Sequence, residues 1–181
     1  MVTIRPATIS DADAIAVVQR AGWFAAYEGI VPHDLIEQAQ PLDAGTRVRE
    51  RMRGRPWQRV LVGCDEAGKV VGYASYGPER EVLNGQWPLT LTEVGMAGQV
   101  GELYALYVHP DRWSTGTGRA LMAGVLAKTA ALGYDEIVLW VLEKNARARR
   151  FYALAGFEPD GAVNILEGLG GVPEVRYRRP M

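Results

Sequence analysis

The chain has 181 residues, 48% hydrophobic and 23% charged, a length and balance that suit one compact domain and argue against disorder or a fibrous repeat. Twenty Lys and Arg against twenty-one Asp and Glu leave a formal charge of −1, so no whole-molecule field draws in nucleic acid or an anionic membrane. The single Cys64 excludes a disulfide framework or multi-cysteine zinc site, and with only His33 and His109 no metal is expected. No apolar run approaches the ~20 residues of a membrane span. Asp11 and Asp13 stand where a signal peptide would carry its apolar core, so a cytoplasmic location is expected.

Ser10, followed by Asp11 and Asp13, predicts a capped helix start, and Ile15, Val18 and Gly22–Trp23 trace its apolar stripe over about 10–25. Pro32 opens a short helix through Leu35 and Ile36, and Pro41 and Asp43 precede another that carries Val48 and Met52 to Gly54. Val60-Leu61-Val62 and residues 70–76 flank Asp65-Glu66-Ala67-Gly68, the pattern of a hairpin. Residues 79–98 hold Pro, Gly, Asn and Thr without periodicity, and so long a loop tends to be functional or mobile. A strand over 101–108 ends at His109-Pro110, and a helix from Gly116 follows, with Leu121, Val125 and Leu132 on one side. The apolar run 137–141 suits a central strand covered on both faces. Asn145 begins a helix that ends near Ala155-Gly156, and two last strands fall around 157–163 and 174–179. The pattern is one α/β layered domain spanning 1–181.

The densest chemistry lies in the turn between the strand ending at Val108 and the next helix. Its small residues can aim main-chain N–H groups at one anion, with the helix dipole behind them. A P-loop is excluded because Arg119-Ala120 follows Gly118, and a dinucleotide fingerprint because Leu121 stands where its third glycine belongs. On its own, the Gly116-x-Gly118 pair is also compatible with nothing more than a tight helix start.

Its surroundings resemble a family. Leu106-Tyr107-Val108-x-Pro110, the Gly116-x-Gly118 turn and Ala120-Leu121 are similar to motif A of the GNAT-type N-acetyltransferases. Asn145-Ala146-x-Ala148-x-x-Phe151-Tyr152-x-x-x-Gly156-Phe157 is similar to motif B, and Arg5-Pro6-Ala7-Thr8-x-x-Asp11 with Trp23-x-x-x-Tyr27-x-Gly29-Ile30 resembles the family's opening. Trp113 departs from the pattern, standing where the family often has Gln or Arg. The resemblance implies a mixed, mostly antiparallel sheet of about six to seven strands. Its fourth (102–108) and fifth (136–141) strands would diverge like a V around the thioester of acetyl-CoA. It further implies direct transfer of the acetyl group to a primary amine of a small molecule or peptide, with no metal and no nucleic-acid or membrane partner. A homodimer is common in such folds. The alternative on the same fold is a non-catalytic acyl-CoA sensor.

By the same resemblance, the main chain of Leu106, Tyr107 and Val108 would bind the pantetheine arm, with the Val108 N–H as oxyanion donor. Ser114, Thr115, Gly116, Thr117, Gly118 and Arg119 would cradle the pyrophosphate, unless Arg119 is merely solvated. Asn145 would cap its helix, bond the cofactor arm, or both, and Arg149 would reach a phosphate or face solvent. An amine of pKa near 10.4 is neutral in only about one molecule in 2,500 at pH 7, so the reaction needs a base. Glu102 is the candidate, against a plain strand-end acid, with Glu93 and Glu28 weaker. Tyr152 would donate a hydrogen bond to the departing thiolate, its bland alternative being an ordinary helix aromatic. Trp23 and Tyr27 share a helix face and line the acceptor pocket or the core. The Arg47 to Arg55 cluster reads as a solvated face, Cys64 as packing and His109 as a turn residue.

Overall fold

In the computed structural model, residues 2–40, 44–55, 57–80 and 100–181 are described. In chain order they form β1 (Thr3–Pro6), α1 (Ala12–Tyr27), α2 (His33–Ala39), α3 (Ala44–Gly54), β2 (Arg59–Cys64), β3 (Val70–Pro78) and β4 (Val100–Val108). Then come α4 (Thr117–Ala131), β5 (Glu136–Leu142), α5 (Ala146–Leu154), β6 (Glu158–Leu166) and β7 (Val172–Pro180). The strands make a seven-stranded sheet in the order β1-β2-β3-β4-β5-β7-β6. Each neighbouring pair is antiparallel except β4–β5, which is parallel. This is the α/β, mostly antiparallel architecture expected from the sequence.

Helices cover both faces because successive strand residues point to opposite sides. Leu61 and Ala74 pack with Leu121 and Val125 of α4. Their neighbours Val62 and Tyr73 pack instead with Ile15 and Val18 of α1. Leu121 and Val125 are fully buried, each burial worth about 1.5–3 kcal/mol. β5 runs through the middle with Ile137 and Val138 wholly buried, as its unbroken apolar run requires.

Two local expectations need correction. Ser10 does not start the first helix: the chain enters α1 through a 3-10 turn over Ile9–Asp11. Asp11 fixes that turn by accepting from the Thr8 N–H at 2.7 Å and from both terminal nitrogens of Arg5 at 2.8 Å. The Arg5 guanidinium holds the Asp11 carboxyl well below the usual carboxylate range. A side-chain cap was the simpler reading of Ser-Asp-x-Asp, but a charge-assisted pair to a neighbouring strand outcompetes it. The last two strands are also longer than expected, because a register shift between Pro159 and Val163 breaks the alternation that marks a strand.

Candidate active site

The site arises where the sheet comes apart. β4 and β5 pair only from Val100↔Glu136 to Leu103↔Leu139, although β4 continues to Val108 and β5 to Leu142. β5 stays paired with β7 along its whole length, down to Leu142↔Glu174, so the opening falls on one edge of β4. The His109 N–H donates to Val71 O of β3 at 2.9 Å. By strand alternation the Val108 N–H and C=O therefore face the opening. Trp113 takes that carbonyl, its Nε1–H donating to Val108 O at 2.9 Å, which leaves the Val108 N–H as the outward donor. The residue that departs from the motif thus braces the strand edge.

A cavity of about 660 Å³ fills the opening, within the range of small-molecule sites. Leu106, Tyr107 and Val108 line it, as do Ser114, Gly116, Gly118, Arg119, Asn145 and Tyr152. Sequence reasoning therefore converges on one place for most of its candidates. Thr115 and Thr117 are not in the lining; their hydroxyls pair with each other at 3.0 Å, and Thr115 Oγ1 donates to Arg112 O at 2.8 Å.

At one end of the cavity the main chain presents bare donors. Ser114 takes φ +64° and Gly116, the residue before α4, φ +91°, a left-handed conformation that glycine adopts without strain. The first hydrogen bond of the helix runs from Ala120 N to Gly116 O. Among the described residues none of the main-chain N–H groups from 114 to 119 has a partner. Arg112, Arg119, Arg147 and Arg150 line this cavity as well, and Arg147 stacks 3.8 Å from the centre of the Trp113 ring. Donors, helix dipole and guanidinium groups together make a setting for a polyanion.

Arg149 is not among these guanidinium groups. Its Nε donates to Tyr177 Oη at 3.0 Å and its Nη1 to Glu143 O at 3.0 Å, tying α5 to β7. The reason is helical geometry: Arg149 precedes Phe151 by two positions, about 200° around the axis, and Phe151 lines the cavity. Arg147 and Arg150, on the cavity side, were missed; rotating the helix to the Phe151 face would have found them.

Tyr27, Tyr107 and Tyr152 line the cavity as well. Gly22 lets α1 close onto β4, since a Cβ there would lie 2.8 Å from Tyr107 Cδ1. Tyr27 Oη and Tyr107 Oη then meet at 2.7 Å, with Trp23 packed edge-on to Tyr27 at 5.0 Å. Both Trp23 and Tyr27 line the cavity. Burial pushes the hydroxyls of Tyr27, Tyr107 and Tyr152 up from the usual phenol value, so all three are neutral donors near pH 7. The Tyr152 hydroxyl makes no hydrogen bond among the described residues, and its ring is held edge-on by Phe151 and Phe157. Asn145 is the side-chain cap of α5, its Oδ1 accepting from Ala148 N at 3.1 Å.

Glu102 lies beneath the cavity wall, 1% exposed and outside the lining. Its Oε1 accepts from Arg80 Nε at 2.7 Å and from Arg80 Nη2, and its Oε2 accepts from the Arg80 N–H at 2.9 Å. The carboxylate that does line the cavity is Glu174 of β7, on which sequence reasoning was silent because nothing in Pro173-Glu174-Val175 marks a site. Glu28 is exposed in the turn after α1 and outside the lining, and Glu93 falls outside the described residues. Cys64 is buried in the core beneath α1. Among the described residues no helix is long and apolar enough to cross a membrane.

Comparison with known proteins agrees with this geometry. The model of the Acetyltransferase (GNAT) family matches residues 25–157. The uncharacterized N-acetyltransferase YuaI of Bacillus subtilis is 32% identical over 145 residues, 80% of this chain and 74% of that protein. The PaiA N-acetyltransferase of Thermoplasma acidophilum, solved with coenzyme A, superposes with a TM-score of 0.71 at 17% identity, over 100% of this chain and 99% of that one. An N-acetyltransferase from Staphylococcus aureus superposes with a TM-score of 0.70 at 18% identity, over 99% and 98%. A splayed β4–β5 pair, an uncapped helix end beside it and a family match across both place this chain in the GNAT family of acetyltransferases.

Proposed function

We propose that the protein transfers the acetyl group of acetyl-CoA directly to an amine of a small molecule or peptide, with both substrates in the cavity together. The observation that carries this reading is the run of unpartnered N–H groups over 114–119 at one end of a cavity walled by the open edge of β4. These donors suit a diphosphate, and Arg119, Arg147 and Arg150 add positive charge beside them. Acetyl-CoA supplies an acetyl group activated as a thioester.

The chain's own residues do the rest. Leu106 and Val108 turn their main-chain groups to the unpaired strand edge, along which an amide-rich arm can lie. The Tyr107 N–H and C=O face Tyr73 of β3 instead, so Tyr107 lines the site only through its side chain. The Val108 N–H donates to the carbonyl oxygen where negative charge gathers. Tyr152, neutral because it is buried, donates a hydrogen bond to the sulfur as it becomes a thiolate. Asn145 caps α5 and so aims Tyr152. Glu102 holds Arg80 in place at the cavity rim. Cys64 lies in another core cluster, outside the lining, which favours direct transfer over an acetyl-cysteine.

Calorimetry with acetyl-CoA and with ATP, followed by an amine panel monitored through free-thiol release, tests the reading. We expect binding of acetyl-CoA in preference to ATP and release that depends on the amine. Binding without amine-dependent release would leave a non-catalytic acyl-CoA sensor.

A further inference from the structure

The geometry points to Glu174 as the carboxylate that receives the acceptor's ammonium and takes its proton, an assignment that rests on the acetyltransferase reading above. Glu102 stands at the base of the opening and its carboxylate is occupied by Arg80 at both oxygens. Glu174 differs in three respects.

First, it is level with the chemistry. Extending the parallel register Glu102↔Val138 and Leu103↔Leu139 places Leu142 opposite Leu106, and Glu174 pairs with Leu142. Glu174, one strand beyond β5, therefore stands level with Leu106 in the opened part of the sheet, whereas Glu102 lies four residues lower, roughly 13 Å along the strand. Second, it has an oxygen to offer. Asn164 Nδ2 donates to Glu174 Oε1 at 2.9 Å, and Oε2 has no partner among the described residues. Third, its surroundings suit a cation. Of the carboxylates among the described residues, only Glu174 lines the cavity, whose lining also includes Trp23 and Tyr27, aromatic rings whose faces favour an ammonium.

Burial pushes the Glu174 carboxyl up from its ordinary value, which narrows the gap between it and an amine. The charged and titratable groups facing it are Arg80 beyond β3, Glu102 of β4 and Tyr27 of α1. Arg176, two residues on in β7, is engaged by Glu79 and Asp160. In the transfer, one ammonium proton passes to Glu174 Oε2, and the freed nitrogen pair forms the new C–N bond while the C=O π pair moves onto oxygen. As the tetrahedral adduct collapses to the amide, the C–S pair leaves with the departing sulfur, which takes the second nitrogen proton.

Glu174→Gln tests this directly, on the full chain and with the best amine of the panel. We expect kcat/KM to fall about a hundredfold at pH 7, with acetyl-CoA affinity by calorimetry within about threefold of wild type. The deficit should shrink towards pH 10, where the amine is neutral without help. Glu174→Asp should retain part of the rate. Independently of activity, difference infrared titration of the unliganded protein should show the Glu174 carboxyl protonating at a higher pH than an exposed glutamate, because burial disfavours its charged form. A Glu174→Gln enzyme as fast as wild type at every pH overturns the assignment, as does a deficit of the same size at pH 7 and pH 10. So does a pH-dependent deficit in Glu102→Gln that is absent from Glu174→Gln. Acetyl-CoA binding by wild type without any amine-dependent release overturns the acetyltransferase reading itself, and the assignment with it.

Discussion

Two helices begin at the same cavity and treat their first turns in opposite ways. α5 closes its own end: Asn145 Oδ1 accepts from Ala148 N, which removes one of the bare donors every helix start presents. α4 begins at Gly116 in a left-handed conformation, without a side-chain cap, and leaves the N–H groups of 114–119 open. The contrast separates a terminus that the chain satisfies itself from one that it leaves open, the end we propose for the diphosphate. A self-capped helix holds a side chain in position, here Tyr152, while an uncapped one leaves its donors available to water or a ligand. Glycine at 116 makes the second arrangement cheap, since a side chain at φ +91° would be strained.

The sharpest way to break this contrast is to place charge at the open end. Gly118→Asp sets a carboxylate among the donors, and like charges about 4 Å apart cost roughly 4 kcal/mol at an effective dielectric of about 20. We expect calorimetry to show acetyl-CoA binding weakened at least a hundredfold. The fold should survive, because a Cβ there meets Phe151 Cε2 at an ordinary 3.4 Å, which a thermal melt would check. Retained affinity would mean that the open donors serve some other purpose.

At the closed end the effects should be smaller and of a different kind. Tyr152→Phe removes one donor to a developing charge, so kcat should drop about a hundredfold while acetyl-CoA affinity stays within a few-fold. Unchanged steady-state turnover would take Tyr152 out of the chemistry. Asn145→Ala should cost about 1 kcal/mol of stability by denaturant titration, the usual loss for such a cap, with acetyl-CoA affinity changed only slightly. Affinity falling more than tenfold at unchanged stability would show that Asn145 also touches the cofactor.

Several features were legible in the letters because they depend on neighbours close in the chain. Ile15, Val18 and Gly22 repeat at helical spacing and are buried in α1. The run 137–141 contains nothing polar and lies mid-sheet. Asn145 stands at a cap position and caps. What the letters did not show depended on distant partners. Ser10 looked like a cap until Arg5, on a strand, claimed Asp11. Arg149 looked like a phosphate ligand at one turn from Asn145, yet Tyr177, twenty-eight residues away, turns it from the cavity.

The carboxylates make the same point most plainly. Periodicity and turn chemistry place Glu102 on a strand beside the motif, and they do so correctly, because both are local properties of the backbone. Whether that carboxylate meets a substrate depends on what lies above it, and Arg80 closes over it from the end of another strand. Glu174 carries no local signal at all. It reaches the cavity because β7 pairs with β5 in the register Leu142↔Glu174, and because β5 has by then parted from β4. Strand order and register are settled by long-range pairing and packing, to which no short stretch of chain holds the key.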